Sequence, residues 1–509
     1  AELTAEDAGT LLRYEVRARP RTLLGLAAIP VQIGWLSRRR FGAVLERYGR
    51  MAAMSERPMA GPAPRVTFAP GGRERLEAAR TSLRTRVRDR ELADRLADLV
   101  ASADELTLAR LRPYACADAW GVPRRRTLEL FLHATRAGLL ELQWDLVCPM
   151  CRGAKETSGS LRDVGSTVHC DSCQIDFTVE FERSVELTFR ASPAIRPIDV
   201  FDFCVGGPQV TPHIVVQQLL APGERRTLMP ALEPGRYRLR ARGRMGARPL
   251  EVGDGGAPAA ELRLDDDGAE APAMRITTSP SIVLENAGKQ ACLAMLERTA
   301  WSDQAATAAE VTTLQEFRDL FSQEALRPGE HISVGSLAVL FTDLRGSSRL
   351  YREVGDAPAF GRVMNHFDVL REHIAAGDGA IVKTMGDAVM AVFRRPAGAI
   401  SAVFAAQRAL MNPPAGMQPL VLKAGLHFGS CIAVTLNDRL DYFGSTVNLA
   451  ARLGGVSVGG EIVISEVVRR DPEVAAWLEG QAGLTCESFE AMLRGFDDLT
   501  LRLWRITQA

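Results

Sequence analysis

A multidomain α+β chain ending in a βαββαβ domain is the architecture this sequence predicts, on three observations. At 509 residues the chain is long enough for several domains, at roughly 100–200 residues each. Its character changes along its length, from helical periodicity to paired cysteines to short alternating strands. From residue 331 onward, β-branched apolar runs and helical runs interleave: strand 336–343, helix 358–376, hairpin 380–393, helix 396–411, a second hairpin 421–435, helix 444–454, strand 461–465 and a final strand pair. That order gives a sheet with helices packed mainly on one face.

Composition narrows the class. Lys+Arg and Asp+Glu balance at 62 each, so net charge predicts no polyanionic partner. The first 130 or so residues are rich in arginine (Arg38–Arg40, Arg124–Arg126), which reads as a solvated surface or a local basic face. No secretory signal is visible. The most apolar stretch, Thr22–Leu36, is broken by Pro30 and Gln32 and is too short where a membrane helix needs roughly 20 residues. Nine cysteines, four of them in a metal-like pattern, point to a reducing compartment and a cytoplasmic protein.

Residues 1–75 form a small αβ module. Leu11–Pro20 alternates as a strand with a proline stop, and its Arg13–Pro20 segment resembles the first strand of START-like lipid-binding domains, of which this would be a partial copy. Residues 76–147 are helical, with Leu76, Leu83, Leu92, Leu96 and Leu99 near 3.6 spacing. Then come a helix, a Gly121-centred turn, a second helix, a Gly138 stop and a strand, an order similar to a winged helix. In a DNA-binding relative the second helix would read the major groove. Here it begins with three arginines, but Leu128, Phe131 and Leu132 are simply core, and a packing module is the preferred reading.

Cys148, Cys151, Cys170 and Cys173 form a C-x2-C…C-x2-C set with the spacing of a structural zinc site. One zinc ion per chain, in a ribbon over 148–182, is the expectation, and a redox dithiol pair the alternative. Residues 183–290 carry short alternating strands (184–190, 214–220, 235–241, 260–264, 281–284) between Pro- and Gly-rich turns, a β-sandwich pattern. A connecting segment, 291–330, holds a helix over 305–325 that ends at Pro328-Gly329.

The chemistry concentrates in residues 331–509. Gly386-Asp387 sits between two apolar runs, a hairpin turn that carries a carboxylate. Lys383 precedes it by four residues in an otherwise apolar strand. Asp343 ends an earlier strand, and Leu344, Gly346 and Ser347 follow in a turn whose amides open a helix and suit phosphate oxygens. The two aspartates read as a pair for divalent cations, since magnesium takes one or two carboxylates plus phosphate oxygens and water. Asn448 and Arg452, at i and i+4, share one helix face.

These segments, from Asp343 to Arg452, resemble the class III adenylate/guanylate cyclase catalytic domain, a ferredoxin-like βαββαβ fold, over about 180 residues. The resemblance implies that Asp343 and Asp387 hold two Mg²⁺ or Mn²⁺ ions and that Lys383 and Asp441 read the purine. It implies a ribose-orienting role for Asn448 and a transition-state role for Arg452. Arg494 stands where the family usually has a lysine on the terminal phosphates; it keeps the charge. An ammonium donor and a carboxylate acceptor suit adenine, so ATP is expected over GTP, with cyclic AMP and pyrophosphate as products. The family builds each site from two subunits, which implies a homodimer. The N-terminal half is also similar to the companion region of a bacterial cyclase group, which implies a regulatory role for an unknown ligand or protein. The alternatives are a guanylate cyclase and a catalytically silent, cyclase-like regulator or DNA-binding scaffold.

Overall fold

A computed structural model describes residues 66–509, apart from 150–152, 171–174, 199–213, 242–247, 266–272, 299–303, 415–416, 482, 496–499 and 509; before residue 66 it describes 2–6, 9–13, 29–31, 35 and 39. The chain divides into two compact units, residues 1–67 and 68–509. In the first, Glu2–Glu6 and Gly9–Arg13 pair as an antiparallel hairpin. The remainder of the expected START-like module, including most of the apolar run 22–36, lies outside the described residues.

The second unit opens with helices Gly72–Arg86 and Arg90–Ser102. The periodic stretch is broken because the Asp89 carboxylate accepts from the Leu92 amide at 3.1 Å and starts a new helix. Helices Pro113–Trp120 and Arg124–Arg136 flank Gly121, whose φ of +67° ends the first of them. Strand Leu140–Val147 follows, so the expected helix–turn–helix–strand order is present.

Two sequence expectations are corrected here. Strand Val185–Ala191, which the alternation assigned to the β-sandwich segment, pairs with Leu140–Val147 in a sheet beneath the helix–turn–helix. Its polar residues are buried rather than solvent-facing: Glu186 is held by Arg112 at 2.8 Å, and Thr188 donates to Asp145 at 2.8 Å. Partnered polar groups mimic a one-sided strand. The remaining strands, with Cys292–Arg298 added, form one six-stranded hydrogen-bonded sheet around a single core, not two separate sheets. Two long strands, Arg248–Leu264 and Met274–Asn286, carry that sheet through a register break between Val252 and Ala257.

The expected 305–325 helix is two short ones, Ala308–Val311 and Gln315–Leu320. Between them the Thr312 and Thr313 hydroxyls bond back to the carbonyls of Ala308 and Glu310, both at 2.7 Å. Such local bonds compete with helix continuation.

The last domain contains β1 (His331–Leu344), α1 (Ser347–Val354), α2 (Asp356–Ala376), β2 (Gly379–Met385), β3 (Ala388–Phe393) and α3 (Pro396–Met411). It continues with β4 (Leu422–Leu436), β5 (Arg439–Phe443), α4 (Ser445–Val456), β6 (Glu461–Ser465), two short helices, β7 (Leu484–Met492) and β8 (Thr500–Gln508). The sheet order is β2-β3-β1-β4-β6-β8-β7, with β5 on β4. The expected second hairpin over 421–435 is one continuous strand. Its glycines serve packing instead of a turn: a Cβ on Gly425 would meet the Gly454 backbone nitrogen at 2.0 Å, and one on Gly429 the Thr446 hydroxyl at 2.7 Å. They admit α4 close to the sheet. The actual turn is Asn437-Asp438, both with positive φ, joining β4 to β5.

The two faces of this sheet are covered differently. Leu340, Ala391, Leu426 and their neighbours pack on α2 and α3. Leu337, Val339, Met390, Val392, Cys431 and Ala433 share one core with the upstream helices, Trp144, Phe181 and Phe317. Backbone bonds cross the same junction, Phe181 N–H to the Ser333 carbonyl at 2.8 Å among them.

Candidate active site

Period-two alternation along β1 brings Leu337, Val339, Phe341 and Asp343 to the face shared with the upstream module. The β2–β3 turn, with Gly386 at φ +65°, brings Asp387 beside Asp343. Burial, and next the Asp387 carboxylate, push the Asp343 carboxyl above its ordinary value; the Leu344 amide and Lys423 pull the other way. Asp387 Oδ2 is buried with no hydrogen-bond partner among the described residues. Two crowded carboxylates, one with an orphaned oxygen, are a donor set that a divalent cation completes. Among the described residues no third His, Cys, Asp or Glu joins them, so water and phosphate oxygens would supply the remaining ligands.

The second pair is complete in itself. Lys383 Nζ donates to Asp441 Oδ2 at 2.6 Å, and Asp441 Oδ1 accepts from the Tyr442 amide at 2.8 Å. The Asp441 side chain is 7% exposed and that of Lys383 37%, so the ammonium is the member that reaches solvent. The two come from strands that are not neighbours in the sheet, and β2 breaks register with β3 between Ile381 and Lys383.

Asn448 and Arg452 lie one turn apart on α4, both exposed, and Arg452 makes no ion pair among the described residues. Leu344 is buried; Gly346, at φ +72°, begins α1, and Ser347 is its first residue. Arg494 is exposed beyond the end of β7, and no bond joins it to the other site residues among the described ones. The structure therefore assembles Asp343 with Asp387 and Lys383 with Asp441, and joins Asn448, Arg452 and Arg494 to neither pair among the described residues.

Sequence reasoning missed four contributors. Lys423 stands opposite Asp343 in the β1–β4 register, and a lone lysine in an apolar run was its only signal. His366 is fully buried on α2, its pKa lowered to about 4 by burial, with the Val363 backbone and then Asp387 pulling the other way. Gln315 and Arg318 lie outside the domain altogether.

At the expected zinc site, Cys148 and Cys170 are buried in one core, while Cys151 and Cys173 lie outside the described residues. The Cys148 amide donates to the Gly153 carbonyl at 3.1 Å, and Cys170 pairs with Ile175 across the two-stranded sheet.

With this geometry in place, residues 330–492 match the family described as the adenylate and guanylate cyclase catalytic domain. Residues 330–492 thus form a domain of the adenylate and guanylate cyclase catalytic type. Residues 75–204 match a family of unknown function. More particularly, the chain is 29% identical over 180 residues to an adenylate cyclase of Mycosarcoma maydis, across 31% of this chain and 7% of that one. It is 31% identical over 153 residues to an adenylate cyclase of Neurospora crassa, across 26% of this chain and 7% of that one. The chain thus spans under a tenth of the length of these fungal relatives. A crystal structure of the adenylyl cyclase CyaB from P. aeruginosa matches at 24% identity and TM-score 0.30, covering 35% of this chain and 97% of that one. Among the described residues no helix is long and apolar enough to cross a membrane.

Proposed function

We propose that the protein converts ATP to 3′,5′-cyclic AMP and pyrophosphate, with two copies of the chain sharing each site. The observation that carries this reading is that one sheet bears both a crowded pair of carboxylates and an ammonium–carboxylate pair. Magnesium or manganese, held by Asp343 and Asp387, would supply a lowered pKa for the ribose 3′-hydroxyl and charge neutralisation at the phosphates. The 3′-oxygen bonds to the α-phosphorus, the bond to the β-phosphate oxygen breaks, and the hydroxyl proton leaves to solvent. Lys383 donates to adenine N1, and Asp441 accepts from the exocyclic amine. Guanine presents the opposite pattern at those positions, which favours ATP. The amides of Gly346 and Ser347, next to Leu344, face phosphate oxygens at the start of α1. Asn448 orients the ribose, Arg452 takes up charge on the transferring phosphoryl group, and Arg494 holds the terminal phosphates. The exposure of Asn448 and Arg452 fits residues that complete the site of a second copy.

The test is turnover by the purified full chain with ATP or GTP and Mg²⁺ or Mn²⁺, beside Asp387→Ala. Cyclic AMP from ATP, lost in the variant, is expected. Preferred cyclic GMP formation would reassign the substrate, and silence in a dimeric sample with both nucleotides would favour a non-catalytic regulator.

The same reading makes residues 1–330 regulatory. Its support is the shared core and the ion pairs that join the two parts: Arg125 to Asp378 at 3.0 Å and Arg394 to Glu182 at 2.8 Å. We also read Cys148, Cys151, Cys170 and Cys173 as ligands of one structural zinc. Stoichiometric zinc in the purified protein, with Cys170→Ser losing both metal and folded helix signal, is the expected result; metal-free protein of unchanged melting temperature would overturn it.

A further inference from the structure

Lys383 and Asp441 sit on strands that do not touch in the sheet, so sheet hydrogen bonds alone do not set their separation. Something outside the sheet holds both strands, and it is the short linker helix Gln315–Leu320. Gln315, 5% exposed, accepts the Ile381 amide on its side-chain oxygen at 2.8 Å, at the point where β2 leaves register with β3 and two residues before Lys383. Its amide nitrogen donates to Asp319 at 2.8 Å, and Asp319 accepts from Arg371 of α2 at 2.7 Å. One turn on, Arg318 donates from Nη1 to the Leu440 carbonyl at 3.0 Å and from Nε to the Thr312 carbonyl at 2.9 Å. Its guanidinium stacks 5.3 Å from the Tyr442 ring centroid. Leu440 and Tyr442 are the two neighbours of Asp441. The Tyr442 hydroxyl closes the bracket on Thr312, 3.0 Å from its hydroxyl and 3.2 Å from its carbonyl.

The bonds that reach β2 and β5 are buried or half-buried, Gln315 to Ile381 and Arg318 to Leu440 among them, so they act where water competes least; only the outer link, Asp319 to Arg371, is exposed. A glutamine that takes the amide freed by a strand bulge, and an arginine that spans a carbonyl and a ring on either side of a buried aspartate, fix two backbones to one rigid turn. The helix is itself anchored upstream: Phe317 packs edge-on against Trp144 at 5.9 Å, and Glu316 pairs with His133.

We propose that Gln315 and Arg318 are positioning residues for purine selection: by bracketing β2 and β5 they set the spacing of Lys383 and Asp441, and so the preference for one nucleobase over another. The proposal rests on the cyclase reading above. It concerns the base-reading half of the site only, because neither residue contacts Asp343 or Asp387 among the described residues.

The experiment is the ratio of kcat/KM for ATP to that for GTP in the full chain, with Gln315→Ala, Arg318→Lys and Thr435→Val. Thr435 bonds another linker residue, donating to the Leu326 carbonyl at 2.7 Å; it stands opposite Leu440 in the β4–β5 register but bonds neither Gln315 nor Arg318. Displacements of the order of 1 Å change rates by about a hundredfold; the two bracket variants are expected to lose about ten- to a hundredfold of the ATP preference, chiefly through KM. Gln315→Glu, which keeps the acceptor for Ile381, should retain most of it. Thr435→Val should lower the melting temperature without moving the ratio. A ratio unchanged in both bracket variants, with stability lost as in Thr435→Val, overturns the proposal and leaves the cyclase reading intact. A wild-type chain that neither turns over nor discriminates the two nucleotides in binding overturns both.

Discussion

Two charged pairs mark the catalytic sheet, and they are opposites. Lys383 and Asp441 neutralise each other at 2.6 Å, with the aspartate further satisfied by a backbone amide. Asp343 and Asp387 are like charges pressed together, with one buried oxygen left without a donor. The first pair is a finished piece of protein structure that a purine can use. The second is left unbalanced by the chain itself, and a divalent cation is the partner we propose for it. Stability and chemistry are therefore divided between the pairs, and substitutions should separate them.

The largest effect is expected at the unfinished pair. Asp387→Ala should lower cyclic nucleotide formation by about 10²–10⁴-fold, the range for loss of a main charge-stabilising element, while the melting temperature holds or rises. A fall in both would show that Asp387 is structural. At the finished pair the order inverts. Lys383→Ala strands a buried carboxylate and should cost about 1–3 kcal/mol of stability, with a roughly ten- to hundredfold loss in kcat/KM for ATP. Replacing both members with apolar residues should recover most of that stability without the activity, and denaturant midpoints measured beside turnover would read the two separately.

The smallest effect sharpens the contrast through pH. A carboxyl whose folded pKa lies above its ordinary value of 3.8 contributes stability below that value and loses it as pH rises through the folded pKa. The metal-free wild type should therefore lose melting temperature relative to Asp387→Asn as pH climbs through and above 3.8. Saturating Mg²⁺ should reverse the difference near neutral pH, by about 2.7 kcal/mol at a hundredfold excess over Kd. Parallel curves for the two proteins, with or without Mg²⁺, would rule out the crowded pair.

The sheet's two faces carry a related lesson. One is covered by α2 and α3 of the same domain, the other by helices and strands from residues before 331. Cutting the chain at residue 331 should leave Leu337, Val339, Met390, Val392 and Ala433 uncovered, an apolar patch of the kind that drives association. Dye binding and aggregation of that fragment, absent from the full chain, are expected; a soluble, dimeric and fully active fragment would mean that the upstream half only decorates the domain.

Much of the catalytic domain was legible. Gly386-Asp387 between β-branched runs specified its hairpin, and Lys383, out of character in an apolar strand, met Asp441 as the resemblance implied. What misled were glycines and threonines whose reasons lie far away in sequence. Gly425 and Gly429 read as a turn because the helix backbone they admit begins some twenty residues later. Val185–Ala191 read as half-solvated because the arginines that neutralise Glu186 come from the helical region. Thr312 and Thr313 divided a helix whose apolar pattern was otherwise continuous.

By itself, then, the sequence determined which residue types stand at the ends of which strands, since turn chemistry and period-two alternation are local properties of a few neighbouring residues. Only the tertiary structure decided that the upstream half closes one face of the catalytic sheet, and that a six-residue linker helix grips β2 and β5 at once. Those outcomes depend on hydrogen bonds and apolar contacts between segments tens to hundreds of residues apart, formed only where burial excludes competing water.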